Sequence, residues 1–331
     1  MSTRSLVDPE LLPLLDMLPE SEFSVESLPA IREGFMADML PSTVDGLAPQ
    51  MVIADGVNGA PDVPLVLFNP PSTNRKRAAI LHLHGGGMVI GNAMMSTATF
   101  AILMPELDIV AVSVDYRLAP EARFPEPQED CYTGLAWLVA HAEELGVDPT
   151  RIAVMGESAG GGLAAALAQM VRDRGEYSLA AQILIYPMLD HRTGSIADES
   201  KASSTQDACP YANPTTGEFI WTRASNRFGW SSLRGDYAAD DNRRGWFSPT
   251  LAESLAGLPP TFINVGGLDL FLDEDMDYAL RLSAAGVPCE LHVYPGAFHA
   301  FNLVAESGVA QQANDDLLRA IRRLLSIGEA V

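Results

Sequence analysis

The chain has 331 residues, 47% of them hydrophobic and 19% charged, with a formal net charge of −22. That length can bury a sizeable core as one large domain or two modest ones, and no apolar run reaches the ~18 to 20 residues of a membrane span. The acidic balance excludes a nucleic-acid binder, which needs a basic footprint, opposes stable association with anionic membranes, and reads as solubility.

Cys131, Cys209 and Cys289 are far apart and form no C-x-x-C, so no zinc site, redox pair or disulfide framework is expected. The N-terminal stretch has neither a basic n-region nor a small-residue cleavage site, which points to a cytoplasmic protein.

In chain order, residues 1–45 read as helical. Ser24 can cap a helix that places Leu28, Ile31, Phe35, Met36 and Met39 on one face. Two short β-rich runs follow, QMVIAD (50–55) and PLVLFN (64–69), an antiparallel start. Then come AAILHLH (78–84), IVAVSVDY (109–116), RIAVMGE (151–157), AQILIYP (181–187), PTFINVGG (260–267) and CELHVYP (289–295). Most are too uniformly apolar to keep one wet face, the mark of strands covered on both sides. Helical segments at 130–146, 158–175 and 273–286 lie between them, each ending in glycine as a stop signal. The alternation predicts an α/β chain with one parallel sheet and helices on both faces.

Residues 190–250 break the rhythm. They are rich in Ser, Asp, Asn, Gly and Pro, yet carry Phe219, Trp221, Phe228, Trp230, Trp246 and Phe247. A strandless stretch this long is an insertion rather than a loop, and Thr215 with Glu218 fits a capping box that starts a helix. The expected organisation is N-terminal cap helices (1–45) and a catalytic domain (46–331) interrupted by a cap insertion at about 190–250, which lies over the sheet's carboxyl edge.

The sharpest motif is Gly156-Glu157-Ser158-Ala159-Gly160, a G-x-S-x-G between a strand and an Ala-rich helix. That context is the one a nucleophile elbow requires. The tight turn lifts Ser158 Oγ from the sheet at a helix N-terminus, where developing negative charge is favoured. A serine hydroxyl needs a base beside it. In the C-terminal third, His292 lies within the strand ELHVY and should face the sheet. His299 follows a strand end and can reach Ser158. Asp269, just past Gly267 and Leu268, is the expected acid that fixes the His299 tautomer. Asp273 and Glu274 are expected to cap the next helix.

HLHGGGMVIG (82–91) completes the set. Acyl transfer passes through an oxyanion that needs two or three amides aimed at one point. Gly85 and Gly86 have no side chain to block the approach, so their amides and that of Ala159 are the expected oxyanion hole. His82 and His84 alternate on a strand but lack a third ligand, so no metal is expected. His84 is expected to hydrogen-bond within the glycine loop.

With these pieces in place, the chain resembles the bacterial hormone-sensitive-lipase-like carboxylesterases of the α/β-hydrolase fold. HGGG (84–87), DYRLAPE (115–121), FPEPQED (124–130), GESAGGGLA (156–164), GLD (267–269) and GAFHAF (296–301) fall in that family's order and spacing. The resemblance implies a mostly parallel eight-stranded sheet with helices on both faces and a helical cap. It implies hydrolysis of short- to medium-chain esters without a cofactor, and homodimers as a frequent arrangement. It assigns Ser158, Asp269 and His299 as the triad and Gly85, Gly86 and Ala159 as the oxyanion hole, and makes Tyr116 and Arg117 braces of the glycine loop. Met88 stands where the family usually has a large aromatic, Leu270 where proline often follows the acid, and Ala300 where members often have glycine. Met88 and Leu270 are therefore read as substrate-pocket positions.

Other readings share the triad: a thioesterase, lactonase or amidase, separable only by pocket shape. A non-catalytic small-molecule receptor would normally lack a triad member, and none is missing. An interfacial lipase would use the insertion's aromatics as lipid anchors rather than as cap core.

Overall fold

The computed structural model describes residues 2–17, 23–37, 47–71, 75–195, 209–211, 213–238 and 240–328. All eight apolar runs are strands: β1 (Gln50–Ala54), β2 (Val63–Phe68), β3 (Arg77–Leu83), β4 (Ile109–Val114), β5 (Val147–Glu157), β6 (Ala181–Ile185), β7 (Thr261–Gly266) and β8 (Cys289–Tyr294). They form one sheet in the order β1-β2-β4-β3-β5-β6-β7-β8. β2 pairs antiparallel with β1 and β4, and every later pairing is parallel.

The helices are α1 (Leu12–Met17), α2 (Leu28–Ala37), α3 (Ser96–Leu103), α4 (Glu126–Ala140), α5 (Ala159–Arg174), α6 (Arg223–Arg234), α7 (Arg244–Phe247), α8 (Leu272–Ala284) and α9 (Gly308–Leu324). β3, β4, β6 and β7 are buried along their whole length because helices cover both faces. Alternation along β3 sends Ala79, Leu81 and Leu83 into a core shared with α4, α5 and α8. Ala78 and Ile80 enter a second core shared with α3 and α9.

A third cluster lies beyond the strands' carboxyl ends. It joins Leu28 from α2, Met88 and Val89 from the glycine loop, Ala159 from the elbow, Trp221, Trp230 and Phe247 from the insertion, and Leu270. Between β6 and β7 the described residues contain no strand, as the sequence led us to expect.

Local signals explain the ends of several elements. Gly175 closes α5 in the left-handed region (φ 68°), which a residue without Cβ adopts at little cost. Ser24 Oγ accepts the Ser27 amide (3.1 Å) in the turn that enters α2. Leu28 and Ile31 of the predicted face join the third cluster; the side chains of Phe35 and Met36, and all of Met39, lie outside the described residues.

Three local expectations are corrected. No helix starts at Thr215. Glu218 is turned away, accepting from Ser2 Oγ (2.6 Å) and from Thr3 Oγ1 (2.6 Å). The helix begins at Arg223 instead, where Thr222 Oγ1 accepts the Ser225 amide at 3.2 Å. Asp273 and Glu274 sit inside the first turn of α8 rather than capping it. Glu274 is fully buried and accepts the Leu189 amide (2.6 Å) from the segment after β6, while Asp273 accepts from Asn213 Nδ2 (3.2 Å). The segment expected to be helical to Gly146 ends at Ala140 and starts earlier, at Glu126. Pro127 in its first turn fits that start.

Candidate active site

The elbow is built by glycines whose missing side chains are required. A Cβ on Gly156 would lie 2.3 Å from the Gly160 carbonyl oxygen, and one on Gly160 would lie 1.9 Å from that of Leu83. Between them Ser158 adopts φ 56° and ψ −120°, a conformation costly for a residue with a side chain. Backbone bonds hold it there: the Ser158 amide donates to the Ile185 carbonyl (2.9 Å), and its carbonyl accepts the amides of Gly162 (3.0 Å) and Met188 (2.9 Å). β5 delivers the residue, α5 leaves from it, and the segment after β6 locks it in place.

Two loops from the same sheet edge meet it. Asp269 follows β7, and His299 follows β8. His299 Nε2 is 2.9 Å from Ser158 Oγ, and His299 Nδ1 is 2.8 Å from Asp269 Oδ2. Asp269 Oδ1 accepts the Phe271 amide (3.0 Å), so both carboxylate oxygens are engaged. Nδ1 therefore donates to Asp269, and the Nε2 lone pair accepts the Ser158 hydroxyl proton. All three side chains are buried: Ser158 is 6%, His299 4% and Asp269 0% exposed. Tyr186 and Phe271 meet the His299 ring edge-to-face, at 4.9 and 5.2 Å between centroids.

The glycine loop lies against the serine. A Cβ on Gly85 would stand 3.6 Å from Ser158 Cβ and 3.2 Å from the Glu157 carbonyl oxygen. Gly86, at φ 116°, accepts the amides of Val89 and Ile90 at 3.0 Å each, while the amides of Gly85, Gly86 and Ala159 are donors in none of the hydrogen bonds found there among the described residues. Tyr116 Oη donates to the His84 carbonyl (2.7 Å) and stacks on the His84 ring at 4.1 Å, bracing the loop as expected. Arg117 does not. Its guanidinium holds Asp130 and Glu126 on α4. From α2, Arg32 bonds the Val89 and Ala119 carbonyls (2.8 and 2.9 Å), a tie that sequence reading missed.

The remaining histidines have other partners. His84 Nδ1 contacts the Gly85 carbonyl (2.8 Å), within the glycine loop as expected, and burial pushes the ring down to about 4. His82 bridges Ser113 Oγ (3.0 Å) and Glu157 Oε2 (2.7 Å). Glu157 is held below the usual carboxylate range despite a burial that alone would raise it, because His82 and Thr99 stabilise the ionised form. His292 sits on edge strand β8 and pairs with Glu290 (2.7 Å), away from the serine. Among the described residues no group of three or more His, Cys, Asp or Glu is arranged to hold a metal ion, and no helix is long and apolar enough to cross a membrane.

Met88 and Leu270 are both buried in the cluster that contains Ala159 and Trp221. Three of the insertion's six Phe and Trp residues are interior, Trp221, Trp230 and Phe247 being at most 6% exposed, while Phe219, Phe228 and Trp246 are partly buried.

Proteins similar to this chain include esterases. A family model described as the α/β-hydrolase fold matches residues 80–303. Esterase LipI of Mycobacterium tuberculosis is 32% identical over 320 residues, covering 95% of this chain and 93% of LipI. Carboxylesterase NlhH of the same organism is 31% identical over 324 residues, covering 96% of each chain. Among solved structures, a bacterial heroin esterase is similar at a TM-score of 0.86 and 37% identity, over 98% of this chain and 99% of its own.

Proposed function

Because the chain belongs to the hormone-sensitive-lipase-like esterases of the α/β-hydrolase fold and is a carboxylic ester hydrolase, we propose that Ser158 is its nucleophile, His299 its general base and Asp269 the carboxylate that orients that base. The observation that carries this reading is the continuous relay from Asp269 Oδ2 through His299 to Ser158 Oγ, with links of 2.8 and 2.9 Å. Ser158 Oγ attacks the ester carbonyl while His299 Nε2 takes its proton, and Asp269 stabilises the imidazolium. The oxyanion accepts from the amides of Gly85, Gly86 and Ala159; removing one such donor typically costs about 10²- to 10³-fold in rate. The bond to the alcohol oxygen breaks, that oxygen takes the proton from His299, and an acyl-enzyme remains. Water activated by His299 then releases the acid and restores the serine.

We assign the N-terminal helices and the insertion to a cap over this site, supported by the shared cluster of Leu28, Trp221, Trp230 and Phe247 with the glycine loop. The burial of those aromatics supports a cap core rather than lipid anchors. The substrates are short- to medium-chain esters. A homodimer through β8 is supported by its place at the sheet edge and by exposed Val293, with Met276 and Leu280 on neighbouring α8. A cytoplasmic setting is supported by three unpaired cysteines.

The test is hydrolysis of p-nitrophenyl esters from acetate to palmitate by wild type and Ser158→Ala. Turnover peaking at short to medium chains and lost in the variant supports the reading; a variant with full turnover overturns it.

A further inference from the structure

Trp221 stands over the reacting centre in a way the triad does not require. Its Cη2 lies 2.0 Å from the point a Cβ on Gly87 would occupy, so the indole rests directly on the third glycine of the loop. Its ring centroid is 6.4 Å from that of His299, at an interplanar angle of 39°. The indole thus spans from the glycine loop to the base.

The ring is also fixed. Trp221 Nε1 donates to Asn226 Oδ1 (3.1 Å), and Asn226 Nδ2 donates to the Thr193 carbonyl (2.7 Å). Phe23 packs on it at 5.5 Å between centroids and stacks on Phe228 at 6.0 Å. Gly229 lets α6 close down on the same loop, since a Cβ there would lie 2.6 Å from the Gly87 carbonyl oxygen. Trp221 is only 6% exposed, so what this fixed ring presents toward His299 is a narrow aromatic strip, preorganised at little entropic cost.

Chemistry assigns that surface to one half of the substrate. The alcohol oxygen takes its proton from His299 Nε2 as the ester bond breaks, so the alcohol's carbon skeleton leaves alongside the imidazole. The acyl group stays on Ser158. Resting on the reading of Ser158 and His299 given above, we propose that Trp221 is the specificity residue of the alcohol side and that the enzyme favours esters whose alcohol carries a flat aromatic ring. Aromatic contact with the indole, edge-to-face or offset, supplies the preference, and a saturated ring of the same reach cannot match it.

The test compares kcat/KM for benzyl acetate and cyclohexylmethyl acetate, which share the acyl group and differ in the flatness of the alcohol's ring. Wild type favours benzyl acetate. Trp221→Ala lowers the benzyl-to-cyclohexylmethyl ratio about tenfold, Trp221→Leu lowers it similarly while filling the space, and Trp221→Phe keeps most of it. Preference among p-nitrophenyl esters of different acyl length is unchanged in all three. A ratio unchanged in a folded Trp221→Ala or Trp221→Leu overturns the proposal. So does a shift of acyl-length preference with the alcohol ratio intact. If Trp221→Ala does not fold, Trp221→Leu decides. Failure of the underlying reading shows separately, as turnover that survives Ser158→Ala.

Discussion

The carbonyl oxygen of Leu83 stands 1.9 Å from the point that a β-carbon on Gly160 would occupy. The end of β3, which launches the glycine loop, therefore touches the first turn of the helix that follows the nucleophile. Amides and serine can converge because that contact is backbone against backbone. Gly160→Ala forces a methyl into a carbonyl that cannot swing aside. The expected cost is about 3 kcal/mol or more, with esterase activity lost even where the variant folds. Urea unfolding and ester turnover check it; near-wild-type values for both would contradict the contact.

Ala300 follows the base at φ 59°, in the left-handed region. A non-glycine residue there costs about 1–2 kcal/mol, and glycine recovers part of that against its greater unfolded-state entropy. Ala300→Gly should raise stability by up to about 1 kcal/mol and leave kcat/KM unchanged. A lower Tm would show that this methyl is not strained.

His84 is neutral in the folded protein, pushed down to about 4 by burial. Its folded value lies below the ordinary 6.5, so the stability of the neutral ring is fully present above about 6.5 and is lost as pH falls toward 4. The full effect is about 3 kcal/mol for a shift of that size. Wild type should lose more stability than His84→Gln on acidification through this window. Equal losses in chemical denaturation would contradict it.

Asp275 is fully buried, and neither carboxylate oxygen has a hydrogen-bond partner among the described residues. Burial pushes it well above the usual carboxylate range, and the nearby Glu274 and Asp269 carboxylates push it further. Burial thus favours the neutral acid in the folded protein, and the stability this gives is present below the ordinary carboxylate value and is lost as pH rises through the folded one. Asp275→Asn removes that loss. Its Tm should exceed wild type by a margin that widens from mildly acidic to alkaline buffer, and a constant margin would contradict the assignment.

The parts of the fold that were legible in sequence are those set by local physics. Runs such as IVAVSV are apolar on both faces only when helices cover both, and they became β4 and its neighbours. The spacing of Ser158, Asp269 and His299 followed strand ends, and the structure brings the three together. What sequence obscured was set by distant partners. Glu218 fits a capping box but is taken by Ser2 and Thr3, more than 200 residues away along the chain. Glu274 has the composition of a helix cap but is drawn inward by the amides after β6. Trp221 was visible as an insertion aromatic, yet its place over Gly87 and His299 depends on how α6 packs, which no periodicity encodes.

The most direct measurement is the mass of the protein quenched in acid during turnover of p-nitrophenyl butyrate, followed by peptide mapping. The relay from Asp269 to Ser158 predicts a fraction of molecules heavier by one butyryl group, carried on the peptide that contains Ser158 and absent from Ser158→Ala. Full turnover by Ser158→Ala, or an acyl group on another residue, would contradict it.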